Sequence, residues 1–106
     1  MTMEEQDYEN KYAEIVKSKV LELFKDTDAI IFLFGSRARG DYQRGSDYDI
    51  GIESIDYDTF RRLKIKFDEF WDESIVPYKV DFVYFDTTKP GFKKEAKKDV
   101  VIWKAG

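Results

Sequence analysis

Residues 29–36 read Ala29-Ile30-Ile31-Phe32-Leu33-Phe34-Gly35-Ser36, an apolar run that ends at a glycine and a serine. Six consecutive apolar residues rich in strand formers are typical of a strand covered on both faces. Gly35 and Ser36 end this strand abruptly, and we expect a short helical turn after Ser36. Glycine lets a backbone approach a ligand closely, and a turn of this kind offers amides and a hydroxyl to an anion. An ordinary strand-ending turn has the same sequence pattern.

Helical and extended patterns alternate on both sides of this strand. Apolar residues at three- and four-residue spacing predict helices over 8–25 and 57–71. Pro90 suits the first turn of a last helix that ends near Lys98. Extended patterns predict strands over 47–52 and 79–85, and residues 100–103 are interpreted as an extended or irregular apolar tail. We therefore expect one α/β domain over 1–106, with helices packed on a small mixed sheet of three to four strands.

The composition excludes several kinds of chemistry. The chain has 106 residues and is 42% hydrophobic, enough for one core. It contains no Cys and no His, which excludes disulfides, thiolate nucleophiles and imidazole bases. Any bound metal would then be held by hard oxygen ligands, as Mg²⁺, Mn²⁺ and Ca²⁺ are. The net charge of −4 disfavours a nucleic-acid partner, and without a long apolar run we expect a cytoplasmic protein with no membrane segment.

Three acidic residues are the candidates for catalysis. Asp47 and Asp49 lie two apart in a predicted strand, so their side chains point to one face and repel each other unless a cation lies between them. Asp81 interrupts an apolar strand, where Asp is disfavoured, and alternation places it with Val83 on one face. A carboxylate in that position needs a partner, which a metal would provide. Without such a partner, a solvated turn explains the pair and an exposed sheet face explains Asp81.

Taken together, these residues form a pattern that resembles a known family. Ten residues separate Ser36 from Asp47, which gives Gly-Ser-x10-Asp-x-Asp, with apolar strands before Gly35 and around Asp81. This resembles the nucleotidyltransferase superfamily, and in particular its minimal nucleotidyltransferase (MNT) members, many of which look like antitoxins paired with HEPN-domain ribonuclease toxins. The resemblance covers residues 12–103 and implies the nucleotidyltransferase (polymerase beta-like) fold.

The resemblance also implies a role for each matching residue. Asp47, Asp49 and Asp81 would be the catalytic metal ligands, with Asp81 also a base toward the acceptor hydroxyl. The nucleotide-binding residues would be Gly35, Ser36, Arg37 and Ser46, which would hold the triphosphate of ATP. Arg39 and Arg44 lie in the loop where a departing pyrophosphate needs positive charge. The expected cofactor is Mg²⁺ as two ions, with Mn²⁺ as a substitute, since paired ions neutralise charge in such displacements.

The length bears on what accepts the nucleotide. With 106 residues, the chain has no evident module for a second small substrate, so the favoured acceptor is a hydroxyl of a partner protein, and the resemblance points to a HEPN toxin. One alternative is a small-molecule nucleotidyltransferase of the aminoglycoside-modifying type, which would need a homo-oligomer to build its acceptor site. Another is a non-catalytic module that neutralises a toxin by binding it, and a nucleic-acid polymerase is a distant third.

Overall fold

The computed structural model describes residues 3–40, 47–72 and 79–105. Along the chain lie α1 (Met3–Phe24), β1 (Ile30–Phe34), α2 (Ser36–Arg39), β2 (Tyr48–Glu53), α3 (Tyr57–Asp72), β3 (Val80–Tyr84), a short 3-10 helix (Phe85–Thr87), α4 (Pro90–Ala96) and β4 (Val101–Ala105). The strands form one mixed sheet in the order β3-β2-β1-β4. The predicted fold class, helices on a small mixed sheet, is confirmed.

The ends of the chain differ most from the sequence prediction. The first helix begins at Met3 and not near Tyr8, because the prediction used apolar spacing and residues 3–7 are mostly polar in sequence. The last helix ends at Ala96. Residues 100–103 are interpreted from the sequence as an extended or irregular tail, whereas residues 101–105 form a full strand that pairs antiparallel with β1. That strand is stabilised by hydrogen bonds to a distant segment, which a local pattern does not record.

Strand pairing determines which side chains meet at one end of the sheet. In the antiparallel pair of β1 and β2, Phe34 lies opposite Asp49. Strands β2 and β3 run parallel, joined by the crossover helix α3, and Asp49 lies opposite Asp81. The residue after β1, Gly35, therefore adjoins the strand end that carries both aspartates.

The two faces of the sheet carry different side chains. Helices α1 and α3 cover one face, where the core includes Val20, Phe67, Ile31, Tyr48 and Ile50. The other face carries a smaller apolar cluster of Phe32, Phe34 and Phe85, against which Ala96 of α4 packs. Because β2 alternates, Asp49 and Gly51 belong to this second, less covered face. Within the described ranges, no helix is both long and apolar enough to cross a membrane.

Gly51 and Phe32 lie directly opposite each other on β2 and β1. A Cβ atom built at position 51 would overlap the ring of Phe32. That ring also packs edge-on against Phe85, with their centroids 4.8 Å apart. The aromatic ring thus occupies the space above β2 that a side chain at 51 would need, next to the acidic end of the strand.

Candidate active site

Asp47, Asp49 and Asp81 come together at one end of the second face. Asp49 and Asp81 are register partners across a parallel pair, and partners of this kind point to the same face. Asp47 precedes Asp49 by two residues and is exposed, whereas Asp49 is half-buried. The face that alternation predicted for Asp81 is therefore the face on which the structure carries Asp49.

The other two carboxylates act electrostatically on Asp49. Burial raises the pKa of Asp49 above its ordinary value, and the negative charges of Asp81 and then Asp47 raise that pKa further. The positive charges of Arg39 and Lys79 act in the opposite direction. A half-buried carboxylate next to two others is costly to ionise, which is the environment that a bound cation relieves.

The chemistry and placement of these residues bear on whether they can hold a divalent metal. Carboxylate oxygens are the ligands that Mg²⁺ prefers, and the strand register puts the three groups side by side. In the described part of the chain, however, no group of three or more acidic, His or Cys side chains is arranged to hold a metal as it stands. The donor set fits, while metal binding would require the exposed side chains of Asp47 and Asp81 to turn toward Asp49.

The glycine at the end of β1 has a conformation that the site requires. Gly35 has φ 76° and ψ −156°, a region that only glycine adopts readily. A Cβ atom at position 35 would overlap Oδ2 of Asp49. Ser36 follows as the first residue of the short helix α2, whose Ala38 and Arg39 amides donate to the Gly35 carbonyl. The turn thus lies against the central carboxylate.

The two arginines of α2 have different surroundings. The Arg37 side chain is buried, and its guanidinium carbon lies 4.0 Å from the centroid of the Tyr48 ring. Tyr48 belongs to the core on the opposite face of β2 from Asp49. Arg39 is exposed, and its charge acts on Asp49. The structure gives Arg37 a packing contact, so its role in nucleotide binding stays a prediction.

A cleft of about 260 Å³ opens beside Gly35. Its floor includes Phe34 and Phe92, whose ring centroids are 6.2 Å apart. Charged residues form its rim: Arg39, Glu95, Lys98 and Asp99. The sequence pattern did not indicate this cleft, because it depends on how α4 returns over the end of β1.

Two residues named from the sequence, Ser46 and Arg44, lie outside the described ranges. Sequence reasoning also missed Lys79, whose Nζ lies 3.6 Å from Oδ1 of Asp81. The sequence contains a signal for this contact, because a lysine and an aspartate two residues apart at the start of a strand can form a short-range ion pair. It was overlooked because an exposed lysine is ordinarily solvated.

Comparisons with known proteins place the chain among relatives of similar length. A family model described as a nucleotidyltransferase domain matches residues 10–102. The probable protein adenylyltransferase MntA of Haemophilus influenzae is 31% identical over 99 residues, which cover 91% of this chain and 82% of the relative.

Solved structures show the same architecture at lower identity. A toxin–antitoxin crystal structure with AMP-PNP matches with a TM-score of 0.62 and 22% identity, over 85% of this chain and 73% of that one. A complex of tri-AMPylated Shewanella oneidensis HEPN toxin with MNT antitoxin gives 0.59 and 18%, over 88% and 72%. A minimal nucleotidyltransferase gives 0.62 and 21%, over 86% and 92%. At these identities the matches show a shared fold.

Proposed function

Because this chain belongs to the nucleotidyltransferase domain family, we propose that it transfers AMP from ATP to a hydroxyl group of a partner protein, and that this partner is a HEPN-type toxin. The observation that carries the proposal is the parallel register of Asp49 and Asp81 beside the Gly35 turn. The MntA relative, named as a probable protein adenylyltransferase, supports a protein acceptor. The two toxin–antitoxin complexes of the same fold support the kind of partner.

Each residue near the turn has a proposed part. Gly35 and Ser36 hold the triphosphate, with Gly35 allowing the phosphates to come close to Asp49 because it has no side chain. Arg39 lies on the rim of the adjoining cleft and would neutralise the departing pyrophosphate. Ser46 and Arg37 keep the phosphate-contacting roles that the family resemblance implies, with the packing contact of Arg37 on Tyr48 as the competing explanation.

The reaction is an in-line displacement at the α-phosphorus. The acceptor oxygen forms a bond to this phosphorus while the bond to the bridging oxygen of the β-phosphate breaks, and pyrophosphate leaves. Asp81 lies on β3, on the far side of Asp49 from the Gly35 turn that is proposed to hold the triphosphate. The acceptor would approach the α-phosphorus from the side opposite the leaving pyrophosphate, so Asp81 is the carboxylate that accepts the hydroxyl proton. Most of the rate enhancement then comes from positioning and charge neutralisation.

Asp47, Asp49 and Asp81 would hold the divalent metal, which we propose is Mg²⁺ as a pair of ions, with Mn²⁺ able to substitute. When bound, such ions polarise the attacking and leaving oxygens and offset the charge of the triphosphate. The raised pKa of Asp49 supports this assignment, because the repulsion among the three groups would be relieved by a cation.

The test uses ATP labelled at the α-phosphate, Mg²⁺ and a purified HEPN-type partner. We expect label to move to the partner, with a mass increase of whole AMP units. Asp47→Asn with Asp49→Asn should lower transfer by more than the about 10- to 100-fold typical of residues that only support a metal ligand. The matched control is Asp26→Asn with Asp28→Asn, an exposed Asp-x-Asp pair that precedes β1 at the other end of the sheet.

The same assay separates the alternatives. Label that appears on a small molecule and never on protein would support an aminoglycoside-type transferase. If the doubly substituted Asp47 and Asp49 variant neutralises the toxin fully without transferring label, the binding-module hypothesis is favoured, and the enzymatic role in neutralisation is wrong.

A further inference from the structure

Lys79 lies at the acidic end of the sheet, immediately before β3. Its Nζ is 3.6 Å from Oδ1 of Asp81, and the two side chains are 69% and 42% exposed. Its charge also reaches β2, since Lys79 is one of the two cations that lower the pKa of Asp49. This lysine therefore pairs with one of the three carboxylates proposed to hold the metal, and its charge acts on a second.

The two cations near Asp49 lie on opposite sides of it. Arg39 comes from α2, at the end of β1, whereas Lys79 comes from the start of β3, and β2 runs between them. Arg39 lines the cleft beside Gly35, which already has a proposed part in holding phosphate. Lys79 does not line that cleft, and it forms an ion pair with Asp81 of the acidic group.

We propose that Lys79 is a built-in counter-ion of the acidic group, one that pairs with Asp81 while the site is free of metal and releases it when a divalent ion binds. This inference rests on the proposed function, because it takes Asp47, Asp49 and Asp81 as the metal-holding groups. A free metal ion must then displace an ammonium group before it can recruit Asp81.

The chemistry of lysine suits a contact that is made and broken. An ammonium group is a compact charge on a flexible stem, and its exposed pair with a carboxylate is weak. An arginine would grip the carboxylate with two parallel hydrogen bonds and release it less readily. The counter-ion therefore reduces repulsion around Asp81 without closing the site, and it lowers the affinity of the site for a metal ion alone.

The experiment measures Mn²⁺ binding without nucleotide, by the electron paramagnetic resonance signal of the free ion. Lys79→Met keeps an unbranched stem and removes the charge, so we expect binding about 1.5- to 5-fold tighter, the range that exposed ion pairs span. Lys79→Arg should bind Mn²⁺ less tightly than the wild type. The control is Lys64→Met, which removes an exposed lysine paired with Asp68 at 3.1 Å on α3 and should change nothing.

A double-mutant cycle with Asp81→Asn identifies the partner. If Lys79 acts mainly through Asp81, the gain from Lys79→Met should shrink in the Asp81→Asn background, leaving only the effect of its charge on Asp49. Unchanged or weaker Mn²⁺ binding in Lys79→Met, or a gain that is undiminished without Asp81, would overturn the counter-ion role. If instead Mn²⁺ binding survives Asp47→Asn with Asp49→Asn, the metal site itself is wrong and the proposed function fails with it, so the two failures are distinguishable.

Discussion

Gly35 and Asp49 lie so close together that a single methyl group at position 35 would overlap the carboxylate oxygen Oδ2. The contact joins the turn after β1 to β2, the strand that carries Asp49 and lies between β1 and β3. It depends on a backbone conformation that glycine alone adopts readily, with φ 76° and ψ −156°. The Gly35 turn and the Asp49 carboxylate are thus positioned by each other.

Gly35→Ala is expected to lower both stability and nucleotide transfer. The backbone conformation alone should cost about 1–3 kcal/mol, and the overlap with Asp49 adds to that cost. Gly40→Ala is the matched control, since Gly40 has φ 83° but open space around its Cβ position. Chemical denaturation should show a larger loss for Gly35→Ala. Equal losses would mean that Asp49 moves aside freely.

Gly91→Ala is a second control, one in which alanine is expected to raise stability. Gly91 lies in α4 with open space around it, so alanine should raise stability by about 0.4–1 kcal/mol. Transfer activity should stay at the wild-type level. A loss in this variant would show that α4 does not tolerate substitution in general, and the Gly35 result would then need another explanation.

Arg37→Ala and Arg39→Ala should have different effects. Arg37 is buried over the Tyr48 ring, so its loss should lower the free energy of unfolding by about 0.5–2 kcal/mol. Arg39 is exposed, and its loss should leave stability within about 0.5 kcal/mol. Binding of a non-hydrolysable ATP analogue, measured by calorimetry, should weaken about tenfold for Arg39→Ala, since a hydrogen bond to a charged group is worth about 1.5 kcal/mol or more.

The reverse result would restore a direct role for the buried arginine. If Arg37→Ala weakens the analogue at unchanged stability, its guanidinium reaches phosphate in the loaded protein. Arg37→Lys is a useful second variant, because lysine keeps the charge but does not stack on an aromatic ring as arginine does.

Asp49→Asn should stabilise the metal-free protein in a pH-dependent way. The pKa of Asp49 is raised above 3.8, chiefly by burial and then by Asp81 and Asp47. Below 3.8 both the folded and the unfolded chain hold this proton, so Asp49 carries no ionisation penalty there. As the pH rises through the folded pKa, ionisation costs more in the folded state, and the stability of the wild type falls.

The advantage of Asp49→Asn should therefore grow as the pH rises above 3.8 and level off above the folded-state pKa of Asp49, and denaturant titrations across the pH range in the presence of a chelator can measure it. Added Mg²⁺ should reduce the difference, since a cation offsets the same repulsion in the wild type. A difference that is constant across the pH range would contradict the electrostatic origin.

Much of the fold could be predicted from the sequence, because apolar spacing and alternation are local. Alternation correctly put Asp81 on the face of Val83, away from the core face. What alternation does not contain is register: Asp49 meets Asp81 because α3 returns the chain for a parallel pairing at that particular offset. Whether residues 100–103 pair as a strand stayed open for a related reason, since the hydrogen-bond partner of β4, β1, lies far away in sequence.

The candidate site was less predictable than the fold. Arg37 lies in a polar stretch and reads as a solvated loop cation, yet the tertiary structure buries it against Tyr48. Lys79 reads as an ordinary surface lysine, and its significance depends on which carboxylates the register brings near it. The motif indicates which residues are candidates for the site, whereas the groups that each charged side chain contacts are given only by the three-dimensional structure.

The pairing of Phe32 with Gly51 has a consequence for how this domain can vary. The Phe32 ring on β1 fills the space that a side chain at position 51 on β2 would occupy. A larger residue at 51 would force β2 outward unless Phe32 shrank at the same time. In homologous chains, a larger residue at position 51 should therefore occur together with a smaller one at position 32. A larger residue at 51 alone would shift β2 and with it Asp49, although the new side chain does not contact Asp49.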